Sequence, residues 1–142
     1  MTETHLPIID HAVQQMSLWL KRLVEQHHFH DRHHAYSALR AVLHALRDRL
    51  TPEQAAHLGA QLPTVVRGIY YEGWHLAGTP KRYRQVQDFA DQVAAQLPPA
   101  FPRDALATAA AVFALLEQEL DSGEIEKVKI MLPEPLRGLW PA

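Results

Sequence analysis

Leu62-Pro63-Thr64-Val65-Val66-Arg67-Gly68-Ile69-Tyr70 returns 70 residues later as Leu132-Pro133-Glu134-Pro135-Leu136-Arg137-Gly138-Leu139-Trp140. The same shift lays Ala41-Val42-Leu43-His44-Ala45-Leu46 over Ala111-Val112-Phe113-Ala114-Leu115-Leu116 without a gap. Between residues 31–70 and 101–140, nine of forty positions are identical, against roughly three from composition alone. A self-match at a fixed offset marks a supersecondary unit written twice. Each unit reads as four helices, two long and two short, the first covering about 10–73 and the second about 80–142. A piece of about 60 residues buries too little surface to be stable by itself. The expectation is therefore a single all-α domain over 1–142, a helical bundle of two tandem four-helix units with about eight helices, related by an approximate pseudo-twofold. Leu62, Ile69 and Tyr70 should then face Leu132, Leu139 and Trp140 or fill equivalent pockets.

Helical punctuation runs outward from these stretches. Val13, Met16, Leu20, Leu23 and Val24 recur at three and four residues and predict a helix from about Asp10 to His27. Asp31 caps the next, whose stripe is Ala35, Leu39, Val42, Leu43, Leu46 and Leu50. Thr51-Pro52-Glu53-Gln54 reads as a capping box with proline at the first helical position, opening a short helix to about Ala60. Pro63 starts a fourth helix that Gly73 ends, with Val65, Val66, Ile69 and Tyr70 turned inward. In the second unit, Thr79-Pro80 predicts a helix carrying Tyr83, Val86, Phe89, Ala90, Val93 and Leu97, stopped by Pro98-Pro99. Pro102 or Asp104 starts the next, with Ala105, Ala109, Val112, Phe113, Leu116 and Leu120 on its apolar face. Asp121-Ser122-Gly123-Glu124 reads as a second capping box, and Pro133 opens the last short helix. Strands are not suggested anywhere.

Composition narrows the partners. The absence of cysteine removes disulfides, thiolate nucleophiles and cysteine-built zinc sites, and fits a reducing compartment. Met1 to Pro7 has neither the basic cluster nor the apolar core of a signal peptide, and no apolar run approaches the roughly 20 residues that span a bilayer. Cytoplasmic localisation without membrane association is expected. Fourteen Lys and Arg against sixteen Asp and Glu give a formal charge of -2, which carries no electrostatic footprint for nucleic acid.

The run AYSALRAVLHALRDRLTPEQAAHLGAQLPTVVRGIYYEGW, from Ala35 to Trp74, resembles the bacterial DUF2267 family, and the C-terminal LPEPLRGLW is similar to that family's closing motif. The resemblance covers nearly the whole chain. It implies an all-helical fold and a bacterial source, and no activity. One departure stands in the turn between the first two helices, where the acidic, arginine-rich stretch expected of the family is HHFHDRHH.

That turn holds the main concentration of potential chemistry. His27, His28, His30, His33 and His34 place five imidazoles in eight residues, and neutral imidazole is a common ligand for zinc, nickel and copper. A stable site needs three or four ligands in fixed geometry, and a helix start offers two at best, His30 and His34. A solvated polar turn is the expected reading, weak transition-metal binding the sharper one, and mutual repulsion of charged rings would loosen the turn in acid. His5, His11, His44, His57 and His75 follow no ligand spacing.

Arg67 and Arg137 could present guanidinium groups to an anion across the pseudo-twofold. A structural duty is expected instead, on helix-end carbonyls or on Asp48 or Glu117, with Gly68 and Gly138 allowing close packing. Tyr70-Tyr71-Glu72-Gly73-Trp74-His75, followed by Lys81, Arg82, Tyr83 and Arg84, could stack on a nucleotide. Helical spacing, however, sends part of that set into the core.

Enzyme signatures are missing: no G-x-S-x-G, no glycine-rich phosphate loop and no HExxH. Ser17, Ser37 and Ser122 have no nucleophile-like setting, and Glu117, Glu119 and Asp121 read as a solvated helix end. No catalytic, cofactor-binding or metal-binding residue is assigned, no cofactor is implied, and catalysis is not the expected activity. The expected function is a non-catalytic binding or protein-interaction module whose partner is an unknown protein or a second copy of itself in a homodimer. The alternative is a small-molecule or metal-binding protein that uses a cleft between the repeats or the His27–His34 cluster. Either way, function should lie where the halves differ: the histidine turn, which becomes Leu97 to Asp104 in the second unit, and the aromatic linker after Glu72, which the second unit lacks.

Overall fold

The computed structural model describes residues 4–142. Eight α-helices follow one another: α1 Pro7–His27, α2 Arg32–Arg49, α3 Pro52–Gly59, α4 Thr64–Tyr71, α5 Val86–Gln96, α6 Ala105–Glu119, α7 Ser122–Met131 and α8 Glu134–Arg137. A single 3-10 turn, Leu76–Gly78, lies between α4 and α5, and no strand occurs among the described residues.

Side-chain caps start four of these helices and satisfy N–H groups that the first turn leaves without partners. Asp31 accepts from the His34 amide, and Thr51 and Gln54 exchange bonds in a full capping box. Asp104 accepts from the Ala107 amide, and Asp121 from those of Gly123 and Glu124. The box expected at Asp121 is half built, because the Glu124 carboxylate turns away to His57 and Lys127.

Helix α2 is the axis of the molecule. From Ala35 to Arg47 it is buried on nearly every side, packed by α1, α4, α5 and α6. A helix enclosed this way needs apolar or small residues all round, and Ala38, Ala41 and Ala45 fill the positions between Leu39, Val42, Leu43 and Leu46. Each of those leucines contributes about 1.5–3 kcal/mol by leaving water. Helix α6 is similarly enclosed, and Phe113 stacks on Trp140 with ring centroids 4.1 Å apart. Tyr70 is buried in the first half, where its hydroxyl donates to the Ala55 carbonyl at 2.7 Å. One continuous apolar cluster runs through both halves, from Met16 to Trp140.

Three local expectations fail for physical reasons. The buried face of α1 is Ala12, Met16, Trp19 and Leu23, one step round from the predicted stripe, and Val13 is exposed. Trp19 is the larger apolar group, so its burial rather than that of Val13 sets the rotation of the helix. Thr79-Pro80 does not open a helix, since α5 begins at Val86. Residues 79–85 instead serve the C-terminal end of α2: the Lys81 amide donates to the Asp48 carbonyl at 2.8 Å, and Arg49 Nε to the Tyr83 carbonyl at 2.8 Å. The linker thus occupies a carbonyl that the last turn of α2 cannot pair internally. Gly68 and Gly138 are not packing glycines, because a Cβ would meet nothing within 4 Å at Gly68 and only the Pro135 carbonyl at 3.9 Å at Gly138. Gly73 needs glycine for its backbone, with φ +71° where the chain leaves α4, and a Cβ at Gly59 would collide with the Tyr71 ring.

Candidate functional site

Along α2, Arg40, His44 and Arg47 sit at i, i+4 and i+7, a polar row on a helix otherwise enclosed in apolar contacts. Arg47 is buried, and each nitrogen of its guanidinium donates. Nε and Nη2 donate to the two oxygens of Asp48 at 2.8 and 3.3 Å, while Nη1 donates to the carbonyls of Tyr70 and Glu72, both at 2.8 Å. The group therefore neutralises a carboxylate and closes the end of α4 at once. One turn earlier, the His44 ring lies 2.7 Å through Nε2 from the Ile69 carbonyl, an acceptor that places the proton on Nε2. Burial pushes its pKa down, the charges of Arg47 and Arg40 add to that, and the Ile69 bond opposes it. At neutral pH it is an uncharged donor to α4 whose Nδ1 is an acceptor.

Buried His44 and Arg47 form the floor of a polar cleft of about 310 Å³ between α2, the linker after α4, and α5, which Arg40 also lines. Gln92 and Gln96 of α5 make its far wall, and His75 and Lys81 belong to its rim. Arg40 Nε meets the Glu72 carboxylate at 3.2 Å across the mouth, where Glu72 is exposed and Arg40 half-buried. Lys81 makes no ion pair among the described residues. Sequence reading missed His44, Arg47 and the two glutamines; the signal available was the polar i, i+4, i+7 row inside an apolar stripe.

The histidine turn forms a second polar locus. It is not a free loop, because Phe29 is buried beneath Arg103, whose guanidinium carbon lies 3.9 Å from the ring centroid. Arg103 Nη2 also donates to the His27 carbonyl at 2.5 Å. Burial lowers the His27 pKa, and the charges of Arg103 and His28 lower it further. His34 packs on Phe101, ring centroids 5.7 Å apart. The turn is therefore docked onto the 97–104 loop, the segment that replaces it in the second half. Among the described residues, no group of three or more His, Cys, Asp or Glu side chains is placed to hold a metal ion.

Arg67 and Arg137 take helix-end carbonyls and pair with neither acid suggested for them. Arg67 donates to Gly59, Ala60 and Leu62, and Arg137 to Lys129, Ile130 and Leu132. Each carbonyl of the second set lies 70 residues beyond its counterpart in the first. Asp48 is held by Arg47, and Glu117 lies 3.6 Å from Lys129 Nζ. Of the aromatic stretch, Tyr70 is core, and Tyr71 stacks on Trp74 with ring centroids 5.4 Å apart. Tyr83 lies under Arg49 rather than open to a base. Ser17 lines a shallow pocket beside Asp10, Ser122 follows the cap of α7, and Ser37 lies within α2.

A third feature is an apolar groove of about 620 Å³ between α3 and α7, lined by Leu50, Ala56, Val128 and Met131. His57 and Glu124 bridge the two helices at 2.7 Å, and that bond holds the Glu124 carboxyl below its ordinary range.

The fold is an all-helical bundle, and no helix among the described residues is long and apolar enough to cross a membrane. The family model described as "Uncharacterized conserved protein (DUF2267)" matches residues 17–139, so the chain belongs to the DUF2267 family. The search of curated proteins gives no match.

Proposed function

We propose that this protein is a non-catalytic binding module, a single domain of two tandem units related by an approximate twofold, with its ligand site in the polar cleft beside α2. The matched carbonyl sets of Arg67 and Arg137 support the twofold arrangement. The observation that carries the binding reading is the cleft itself: fixed polar groups on its floor, two glutamine amides on its wall, and Lys81 at its rim without an ion pair among the described residues. Such a lining suits a small polar ligand with an anionic group, oriented by the amides and drawn by Lys81 and Arg40. It lacks a nucleophile backed by a base, so it is suited to holding a ligand rather than converting one.

An NMR titration with inorganic phosphate, then with citrate, tests the proposal. Saturable shifts should gather at Arg40, His75, Lys81, Gln92 and Gln96 for at least one of the two and weaken in Lys81→Gln. Shifts scattered over the surface, or none at millimolar ligand, would reject it. A second reading, a protein-interaction module that works as a homodimer, draws support from the α3–α7 groove, the exposed Met131 that lines it and the exposed Ile130 next in sequence. Sedimentation showing only monomer at high concentration would dispose of that reading.

A further inference from the structure

The cap of α2 orients one histidine of the turn. Asp31 Oδ1 accepts from the His34 amide at 2.8 Å and lies 2.7 Å from His34 Nδ1. With Nδ1–H committed to the carboxylate, Nε2 on the opposite edge of the ring is left as the lone-pair nitrogen. A carboxylate behind an imidazole is the arrangement that fixes the tautomer and raises the basicity of a metal-ligating nitrogen. His30 stands beside it, ring centroids 5.5 Å apart and planes at 86°. Two imidazoles aimed at one tetrahedral ion, with Zn–N bonds of about 2.0–2.1 Å, have ring centres on the order of 5 Å apart. The His33 ring is farther from His34, at 6.3 Å.

Both rings line a pocket of about 220 Å³ whose other walls are His28, Phe29, Phe101, Pro102 and Arg103. Its one permanent cation, Arg103, is spread over Phe29 and bonded to the His27 carbonyl. We propose that His30 and His34 form a two-imidazole site for a divalent transition-metal ion such as Zn2+, with Asp31 as the positioning residue behind His34. Two protein ligands leave two tetrahedral positions to water, so the ion is exchangeable and its site open. The lining differs from that of the polar cleft, and the site stands or falls independently of the function proposed there.

Calorimetric titration of Zn2+ into protein carrying no added histidine tag tests the site, with Mg2+, which prefers oxygen ligands, as the control ion. One Zn2+ should bind per chain and Mg2+ should not. NMR of the imidazoles should show zinc-dependent changes at His30 and His34 in the parent protein. The exposed substitution His30→Gln and the pair His30→Gln with His34→Gln should remove saturable binding, while His33→Gln keeps it. Asp31→Asn should weaken binding by roughly 10-fold or more and leave the melting temperature near that of the parent, because asparagine is also a good cap. Absence of saturable heat in the parent, or zinc binding that survives the double substitution, overturns the site. Unchanged affinity in Asp31→Asn overturns the positioning role.

Discussion

The junctions Leu62 to Tyr70 and Leu132 to Trp140 make matching arginine–carbonyl bonds, whereas α2 and α6, which precede them, differ at the position where polarity enters. Position 47 is an arginine buried among carbonyls and a carboxylate, and its counterpart at 117 is a partly exposed glutamate. The contrast separates frame from specialisation. What the halves share closes helix ends and fills the core; the first half alone carries the polar row that floors the cleft.

Removing the two counterparts gives the largest test of that contrast. Arg47→Ala leaves the Asp48 carboxylate half-buried with its partner gone and strips the Tyr70 and Glu72 carbonyls of a donor, which should cost about 3–5 kcal/mol in chemical denaturation. Glu117→Gln removes a charge 3.6 Å from Lys129 and should change stability by about 1 kcal/mol or less. Equal effects would mean that position 47 is no more specialised than 117.

The shared frame makes the opposite prediction. Arg67→Ala and Arg137→Ala each remove three bonds to helix-end carbonyls, so each should cost about 1–2 kcal/mol, with similar midpoints. A silent Arg137→Ala beside a costly Arg67→Ala would show that the matched bonds do not carry matched energies. Glycines refine the point. Gly73→Ala forces a side chain into the left-handed region and should cost about 1–2 kcal/mol, while Gly68→Ala and Gly138→Ala, with space around the new Cβ, should be neutral or stabilising by about 0.4–1 kcal/mol. Thermal melts of the three variants decide it.

How far the sequence is legible follows from the range of the interactions involved. The apolar faces of α2 and α6, and the caps Asp31 and Thr51, rest on contacts within a few residues, and pattern reading locates them; it narrows the start of α6 to Pro102 or Asp104, and Asp104 is the cap. Thr79-Pro80 has the local look of a helix start, but its segment answers to Asp48 and Arg49 on α2, which no local rule can see. Val13 fails similarly, because the rotation of α1 is set by what α2 and α6 offer its other face. The histidine cluster is plain in the sequence. That Asp31 holds His34, and that Phe101 and Arg103 from the other half wall the turn, depends on how the halves are folded together. The cleft lies between these extremes, since the row Arg40, His44, Arg47 was visible and its partners on α4 and α5 were not.

The two polar loci also differ in how they answer acid, by a margin smaller than any of the substitutions above. His27 and His44 both have folded pKa values below the ordinary imidazole value of 6.5, with burial the leading cause for each. The unfolded chain therefore binds protons first as pH falls, and stability must decline on acidification. The loss begins near the ordinary value and continues down to the lowered folded values, while full stability is kept above it. Asp31 acts in the same direction but later: its carboxyl is held below its ordinary 3.8, so its contribution is lost only below that value. A melt series from about pH 8 to pH 5 should thus show a falling midpoint owed to the two histidines and not to Asp31. His44→Gln keeps a donor for the Ile69 carbonyl and should flatten the series more than His27→Gln, because His44 is the more deeply buried of the two. A series unchanged by His44→Gln, or flattened more by His27→Gln, would move the seat of acid sensitivity from the cleft to the histidine turn.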